Sequence, residues 1–276
     1  MCRLIGYASP TEVTLAELVG SLQCSTFQHM SRLHADGWGT MWLGEDNHEL
    51  LHVKVEKSAV PGQDDIDLTN AMTEAPSRGR VVHLRMATDG MVVRQENTHP
   101  FVTDDIGLAH NGSIVPTGIL RDSLSAESLD GVDGDTDSEL YLAAIRQGVR
   151  AGLSLSEATF ETVNWLRALF PLASLNALVM SPTEFVAVHA SSLSPAPKHE
   201  FAARGLIAAD LPLDHINAYY SMSYLRRADG AVAFSSTGID RSGWSPLPDE
   251  SITTVDLSTF EMTTRMLDPL VGRSVA

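Results

Sequence analysis

Two cysteines among 276 residues are too few for a disulfide framework. The ten histidines form no HExxH and the cysteines no CxxC, so no zinc site can be read and no metal or cofactor is expected. Basic side chains are also scarce: 19 Lys and Arg stand against 35 Asp and Glu, a net charge of -16. A surface of that sign repels phosphate backbones and anionic headgroups, so neither nucleic acid nor a membrane is expected as the main partner. The most apolar stretch, 165–180, is broken by Arg167, Pro171, Ser174 and Asn176. It is no bilayer span, which takes about 20 apolar residues in a row. The first residues lack the basic region, apolar run and cleavage site of a secretory signal. With so little cysteine, a reducing cytoplasm is the simplest compartment. No repeat, low-complexity tract or linker splits the chain, and one domain over 2–276 is expected.

What the chain does have is enough apolar material for a sizeable core, 43% of residues. Residues 2–8 read as a buried strand, and Leu15, Leu18, Val19 and Leu22 give 11–23 a helical spacing. Strands are expected at 39–43 and 50–56, a weaker helix at 64–75, a β-rich run at 79–87 and a short strand at 106–110. An acidic loop at 127–135 leads to two helices with capping-box openings, Thr136 with Glu139 and Ser154 with Glu157. Strands at 174–181 and 184–190 follow, then a loop at 192–198. A hairpin at 219–226 and 231–236 and two tail strands near 252–256 and 260–267 close the chain. Strands, two central helices and strands again do not make a doubly wound parallel sheet. An α+β fold, with sheets packed on one another and helices outside, fits better.

Four places carry chemistry. Cys2 follows the initiator methionine; if Met1 is removed, a thiol and a free α-amine share one residue, a nucleophile with its own base. Taken alone, a small buried hydrophobe at a strand start is the better account of Cys2, and of Cys24 as well. Arg85 ends the β-rich run. Its planar fork suits a carboxylate, although an ordinary salt bridge at the rim explains it as well, and Thr88 either assists it or closes a turn. Asn111-Gly112 after a strand is either a plain turn or a pair of oxyanion donors, the side-chain amide and the Gly N–H. Asp137 in a helix's first turn suits the macrodipole and could also hold an ammonium.

Taken together, Met1-Cys2, Asp36-Gly37-Trp38-Gly39, Arg85 with Ala87-Thr88 and Gly90, Asn97-Thr98-His99-Pro100-Phe101, His110-Asn111-Gly112 and Asp137-Ser138-Glu139 resemble the class II glutamine amidotransferases. The resemblance covers residues 1 to about 145. It is nearest to the stand-alone branch of that family, whose members carry a tail similar to Gly243-Trp244-Ser245-Pro246-Leu247-Pro248. The ergothioneine-pathway γ-glutamyl amidohydrolase belongs to the same broad group. The resemblance implies an N-terminal-nucleophile hydrolase fold, a four-layer αββα sandwich of two mainly antiparallel sheets flanked by helices. It implies Cys2 as nucleophile, Asn111 and Gly112 as oxyanion hole, Arg85 with Thr88 as clamp for a substrate α-carboxylate, Asp137 as partner of its α-ammonium, and His99 as a loop-shaping residue. The implied reaction is hydrolysis of glutamine or a γ-glutamyl conjugate through a thioester. The alternatives are a glutaminase subunit that passes ammonia to a separate synthase chain, and a non-catalytic module that senses glutamine or a γ-glutamyl compound. Arg3, Met86 and Asp89 stand where many members have Gly, Trp and His. In family terms these positions flank the pocket entrance, so they bear on the substrate. Nothing after residue 145 resembles an ATP, phosphosugar or flavin domain.

Overall fold

The computed structural model describes residues 2–88, 90–206, 211, 215 and 217–270. Met1 and Asp89, on which two of the expectations fall, lie outside them.

The chain opens with β1 (Arg3–Val13), whose alternation sends Leu4 and Ala8 to one core and Ile5 and Tyr7 to another. The strand runs five residues further than expected, and the helix anticipated at 11–23 begins only at α1 (Leu15–Val19). The cause is a full capping box, Thr14 with Glu17, which starts the helix after the strand has ended. Gly20 then breaks the run, and α2 (Ser21–His29) continues it. Next come β2 (Trp38–Glu45), β3 (Leu51–Ser58), α3 (Ile66–Thr73) and β4 (Ser77–Leu84). After these lie β5 (Phe101–Thr103), β6 (Ile106–Asn111), α4 (Thr117–Asp122) and α5 (Ala126–Leu129), the last inside the stretch read as an acidic loop.

The two central helices are α6 (Asp137–Arg150) and α7 (Leu155–Leu169). Ser154 and Glu157 complete their box, but the Glu139 carboxylate turns to the N–H groups of Asp133 and Gly134, so Thr136 caps α6 alone. Then follow β7 (Asn176–Met180), β8 (Glu184–His189), α8 (Lys198–Ala203), β9 (Met222–Arg226), β10 (Val232–Ser236), β11 (Ser245–Pro246), β12 (Ser251–Asp256) and β13 (Met262–Met266).

One sheet has the order β11-β9-β10-β1-β4-β2-β3 and the other β13-β12-β8-β7-β6-β5. Every pairing described is antiparallel. Leu4, Met41 and Val81 of the first sheet meet Ala109, Leu178 and Ala187 of the second to form the central core. The outer face of the first sheet packs Ile5 and Val82 under Leu15, Phe27 and Leu68. The outer face of the second packs Leu108 and Val179 under Leu140, Ile145 and Val163. The result is the expected αββα sandwich. β1 is the central strand of its sheet, and its first residues emerge beside the end of β6 across the sandwich.

Candidate active site

Cys2 is 4% exposed and sits just before β1. Its N–H donates to Asn111 Oδ1 at 2.9 Å, and its thiol faces the Met86 carbonyl at 3.9 Å. The first bond decides how the Asn111 amide lies: with the oxygen accepting from Cys2, the Nδ2 amino group is left over. That group is fully buried and has no partner among the described residues. Asn111 itself is rigid, since it pairs with Asn176 in the sheet and its carbonyl accepts from Ser174 Oγ at 2.8 Å. The next position admits only glycine. A Cβ on Gly112 would lie 1.8 Å from the Ser174 carbonyl oxygen and 2.5 Å from His110 Nε2.

Three buried histidines stand behind the thiol. His83 Nε2 meets the His110 carbonyl at 3.2 Å. A carbonyl only accepts, so Nε2 carries a proton. His110 is pinned the same way, Nε2 donating to the Ser174 carbonyl and Nδ1 accepting from Ser138 Oγ, each at 2.8 Å. His99 stacks on His83 with ring centroids 4.2 Å apart, and burial drives its pKa well below the usual imidazole value. Burial pushes the Cys2 thiol up, but the amino-terminal charge and His83 outweigh it and bring the pKa down to about 5. Ligand atoms of Cys2, His83 and His99 lie within 4.8 Å of one another. The His83 and His99 rings are only 25° from parallel, so their in-plane lone pairs run side by side and do not converge on one ion.

Arg85 lies one residue past the end of β4 and is 2% exposed. Its backbone is tied to the preceding loop through Gly37 O at 2.8 Å and Asp36 N at 3.1 Å. Its guanidinium has only two long bonds, to the Asp36 carbonyl at 3.3 Å and the Val92 carbonyl at 3.4 Å. Among the described residues it has no ion pair. Asp36, whose charge acts on Arg85, is already engaged: its Oδ2 accepts from Ala87 N–H at 2.7 Å and pairs with Arg204, which follows α8. Burial lowers the Arg85 pKa, against the pull of Cys2 and Asp36. A buried cation without an anion is costly, and a bound carboxylate would relieve that cost.

Asp137 opens α6 at 6% exposure, where its Oδ2 accepts from Ile114 N–H at 2.5 Å. Thr88 is half-buried, and its carbonyl closes a turn with Met91 N–H at 3.0 Å. Arg3 and Met86 do not flank an entrance: they are 0% and 1% exposed. β1 turns the Arg3 side chain away from Leu4, and Met86 packs with Phe201, Tyr219 and Tyr220. A cavity of about 410 Å³ lined by Lys57, Glu96, Phe101, Glu139 and Arg146 holds none of these site groups.

The fold therefore brings Cys2, Asn111, Gly112, His83 and His110 together and sets Arg85 and Asp36 beside them. His83 shares a strand alternation with Arg85, a signal that could have marked it. Arg204 and Tyr219 carry no such signal, because they arrive from more than 100 residues away in sequence.

The description "Glutamine amidotransferases class-II" matches residues 1–214. Among curated proteins, the chain is 26% identical over 280 residues to "Gamma-glutamyl-hercynylcysteine sulfoxide hydrolase" of Mycobacterium tuberculosis, covering 99% of each. It is 28% identical over 179 residues to "Glutamine--fructose-6-phosphate aminotransferase [isomerizing]" of Rhizobium leguminosarum, covering 63% of this chain and only 26% of that protein. Among solved structures, a glutamine aminotransferase class-II domain protein from Silicibacter pomeroyi superposes with TM-score 0.64 at 16% identity, over 97% of this chain and 100% of the other. The glutamine phosphoribosylpyrophosphate amidotransferase of B. subtilis superposes with TM-score 0.61 at 18% identity, over 99% of this chain and 50% of the other. These two likenesses concern the fold.

Proposed function

The chain belongs to the class II glutamine amidotransferases, and from that premise we propose that it hydrolyses a γ-glutamyl amide through a thioester on Cys2. The observation that carries the reading is the Cys2–Asn111 pair. One end of the Asn111 amide holds the nucleophile's nitrogen at 2.9 Å, and the other end is a buried donor with nothing to bind. An orphaned buried amide costs about 1–3 kcal/mol and calls for a reason. An oxyanion that exists only during the reaction supplies one.

Removal of Met1 gives Cys2 a free α-amine. The amine holds the thiol's proton as an α-ammonium beside the thiolate, and the thiolate adds to the γ-carbonyl carbon of the substrate. The carbonyl oxygen becomes an oxyanion, which accepts hydrogen bonds from Asn111 Nδ2 and Gly112 N–H. Collapse breaks the C–N bond, and ammonia or an amine leaves with the proton held by the α-ammonium. Water, deprotonated by the same amine, attacks the thioester and frees glutamate and the thiol. Arg85 binds the α-carboxylate in this scheme, and Asp137 the α-ammonium, with Thr88 beside them.

The near-complete mutual coverage with the mycobacterial hydrolase supports a γ-glutamyl conjugate as substrate. A second reading has its own support, because 63% of this chain matches a glutamine-dependent aminotransferase. In that case a separate synthase chain would take the ammonia. Turnover of purified protein on glutamine, γ-glutamyl amines and γ-glutamyl thiol conjugates, with mass spectrometry of the amino terminus, tests both. Activity abolished by Cys2→Ala, in protein lacking Met1, is expected. Full activity with Met1 retained sinks the mechanism, and glutaminase activity that rises only with a partner present favours the second reading.

A further inference from the structure

We propose that Arg3 is the positioning residue of the nucleophile: it locks Cys2 in attack geometry through the Cys2 carbonyl, without touching substrate. The proposal rests on the reading of Cys2 as nucleophile.

Alternation along β1 puts Arg3 on the face of Ile5 and Tyr7, opposite Leu4. Its side chain thus runs behind the nucleophile, where it is 0% exposed. There its Nε donates to the Cys2 carbonyl at 2.6 Å. Its Nη1 donates to the Tyr219 carbonyl at 3.3 Å and the Thr237 carbonyl at 3.2 Å, and also bonds Thr237 Oγ1. Its Cζ lies 3.9 Å from the centre of the Tyr219 ring, whose hydroxyl also meets the Cys2 carbonyl, at 3.5 Å. Cys2 precedes the first strand residue, and a processed chain would begin there. Terminal residues fray unless tied down. Asn111 ties the Cys2 nitrogen, and Arg3 ties its carbonyl. With both ends held, only the side-chain rotor is left to the thiol.

A merely structural role does not explain the choice of residue. Among the described residues Arg3 has no carboxylate partner and its Nη2 has no partner. Nearby His215 adds no second positive charge, since burial and the Arg3 cation push its pKa down to about 3. An apolar residue would fill this space at less cost. What it could not do is aim a rigid fork at the Cys2 carbonyl and at Thr237 together. The anchors Tyr219 and Thr237 lie beyond residue 214, where the family match ends. The C-terminal quarter of the chain therefore has a part in holding its first residues.

The test uses full-length protein with turnover already shown to need Cys2, so that failure of the thioester reading would appear first. Arg3→Lys keeps the charge and loses the fork. A misplacement of about 1 Å costs on the order of 100-fold. The expected result is a kcat about 100-fold down with KM within about threefold, and a matching fall in the rate of Cys2 alkylation by iodoacetamide. Thr237→Val, a milder change, is expected to lower kcat about tenfold and to add nothing to Arg3→Lys in the double variant. It decides the matter should the Arg3 variant not fold. Full kcat in Arg3→Lys would overturn the proposal, as would losses confined to KM or additive losses in the double variant.

Discussion

Replacing Asn111 by Asp separates the two duties assigned to that side chain. Asp keeps an oxygen where Oδ1 accepts from the Cys2 nitrogen at 2.9 Å, so the nucleophile stays placed. It removes the unpartnered Nδ2 and with it one oxyanion donor. Loss of one such donor costs about 2.7–4 kcal/mol, or roughly 10²–10³-fold in kcat. KM should change by less than about threefold, because the missing bond forms to the developing oxyanion and not to the ground-state amide. Steady-state kinetics on the best substrate from the screen, with single-turnover trapping of the acyl-enzyme, reads both quantities. Thioester formation should be the slowed step. A kcat within about fivefold of the parent, or a loss that falls on KM alone, would refute the assignment of Nδ2 to the oxyanion.

Arg85→Lys keeps a cation and loses the bidentate fork, so KM should rise at least about tenfold while Cys2 alkylation is unchanged. Equal KM would remove Arg85 from the substrate clamp. Gly112→Ala should abolish turnover or yield insoluble protein, since its Cβ meets a backbone oxygen at 1.8 Å. An active, well-folded variant would contradict that geometry. Cys2 alkylation should fall as the pH drops through the thiol's pKa, which the amino-terminal charge and His83 hold below the usual thiol value, because only the thiolate reacts. His83 helps hold that value down, so in His83→Gln the midpoint should move to higher pH. An unmoved midpoint would show that the amino-terminal charge suffices.

Much of the architecture was legible in local pattern. The strand pairs, the two central helices and the Ser154–Glu157 cap depend on neighbours a few residues apart, and the αββα layering follows from their order. The errors were local as well. β1 outran its expected end because Thr14 and Glu17 postpone the helix, and Glu139 left the cap of α6 because loop N–H groups offered it better partners. Short elements such as α5 and β5 carry too few residues to show a period.

The site divides along the same line. Sequence by itself determined which groups are available: a thiol at the second position, an Asn-Gly after a strand and an arginine at the end of another. It also pointed to a family through their order. Only the tertiary structure decided what each group is free to do. Among the described residues Asn111 Nδ2 is a spare donor, because Cys2 takes the other end of the amide, and Arg85 has no ion pair, because Arg204 has claimed Asp36. Arg3 moved from an expected pocket entrance to a support behind the nucleophile, because β1 turns it toward Tyr219 and Thr237. Those pairings join residues 109 to 234 positions apart. Their availability is set by which partner reaches each atom first in the packed interior, and no local pattern in the chain encodes that.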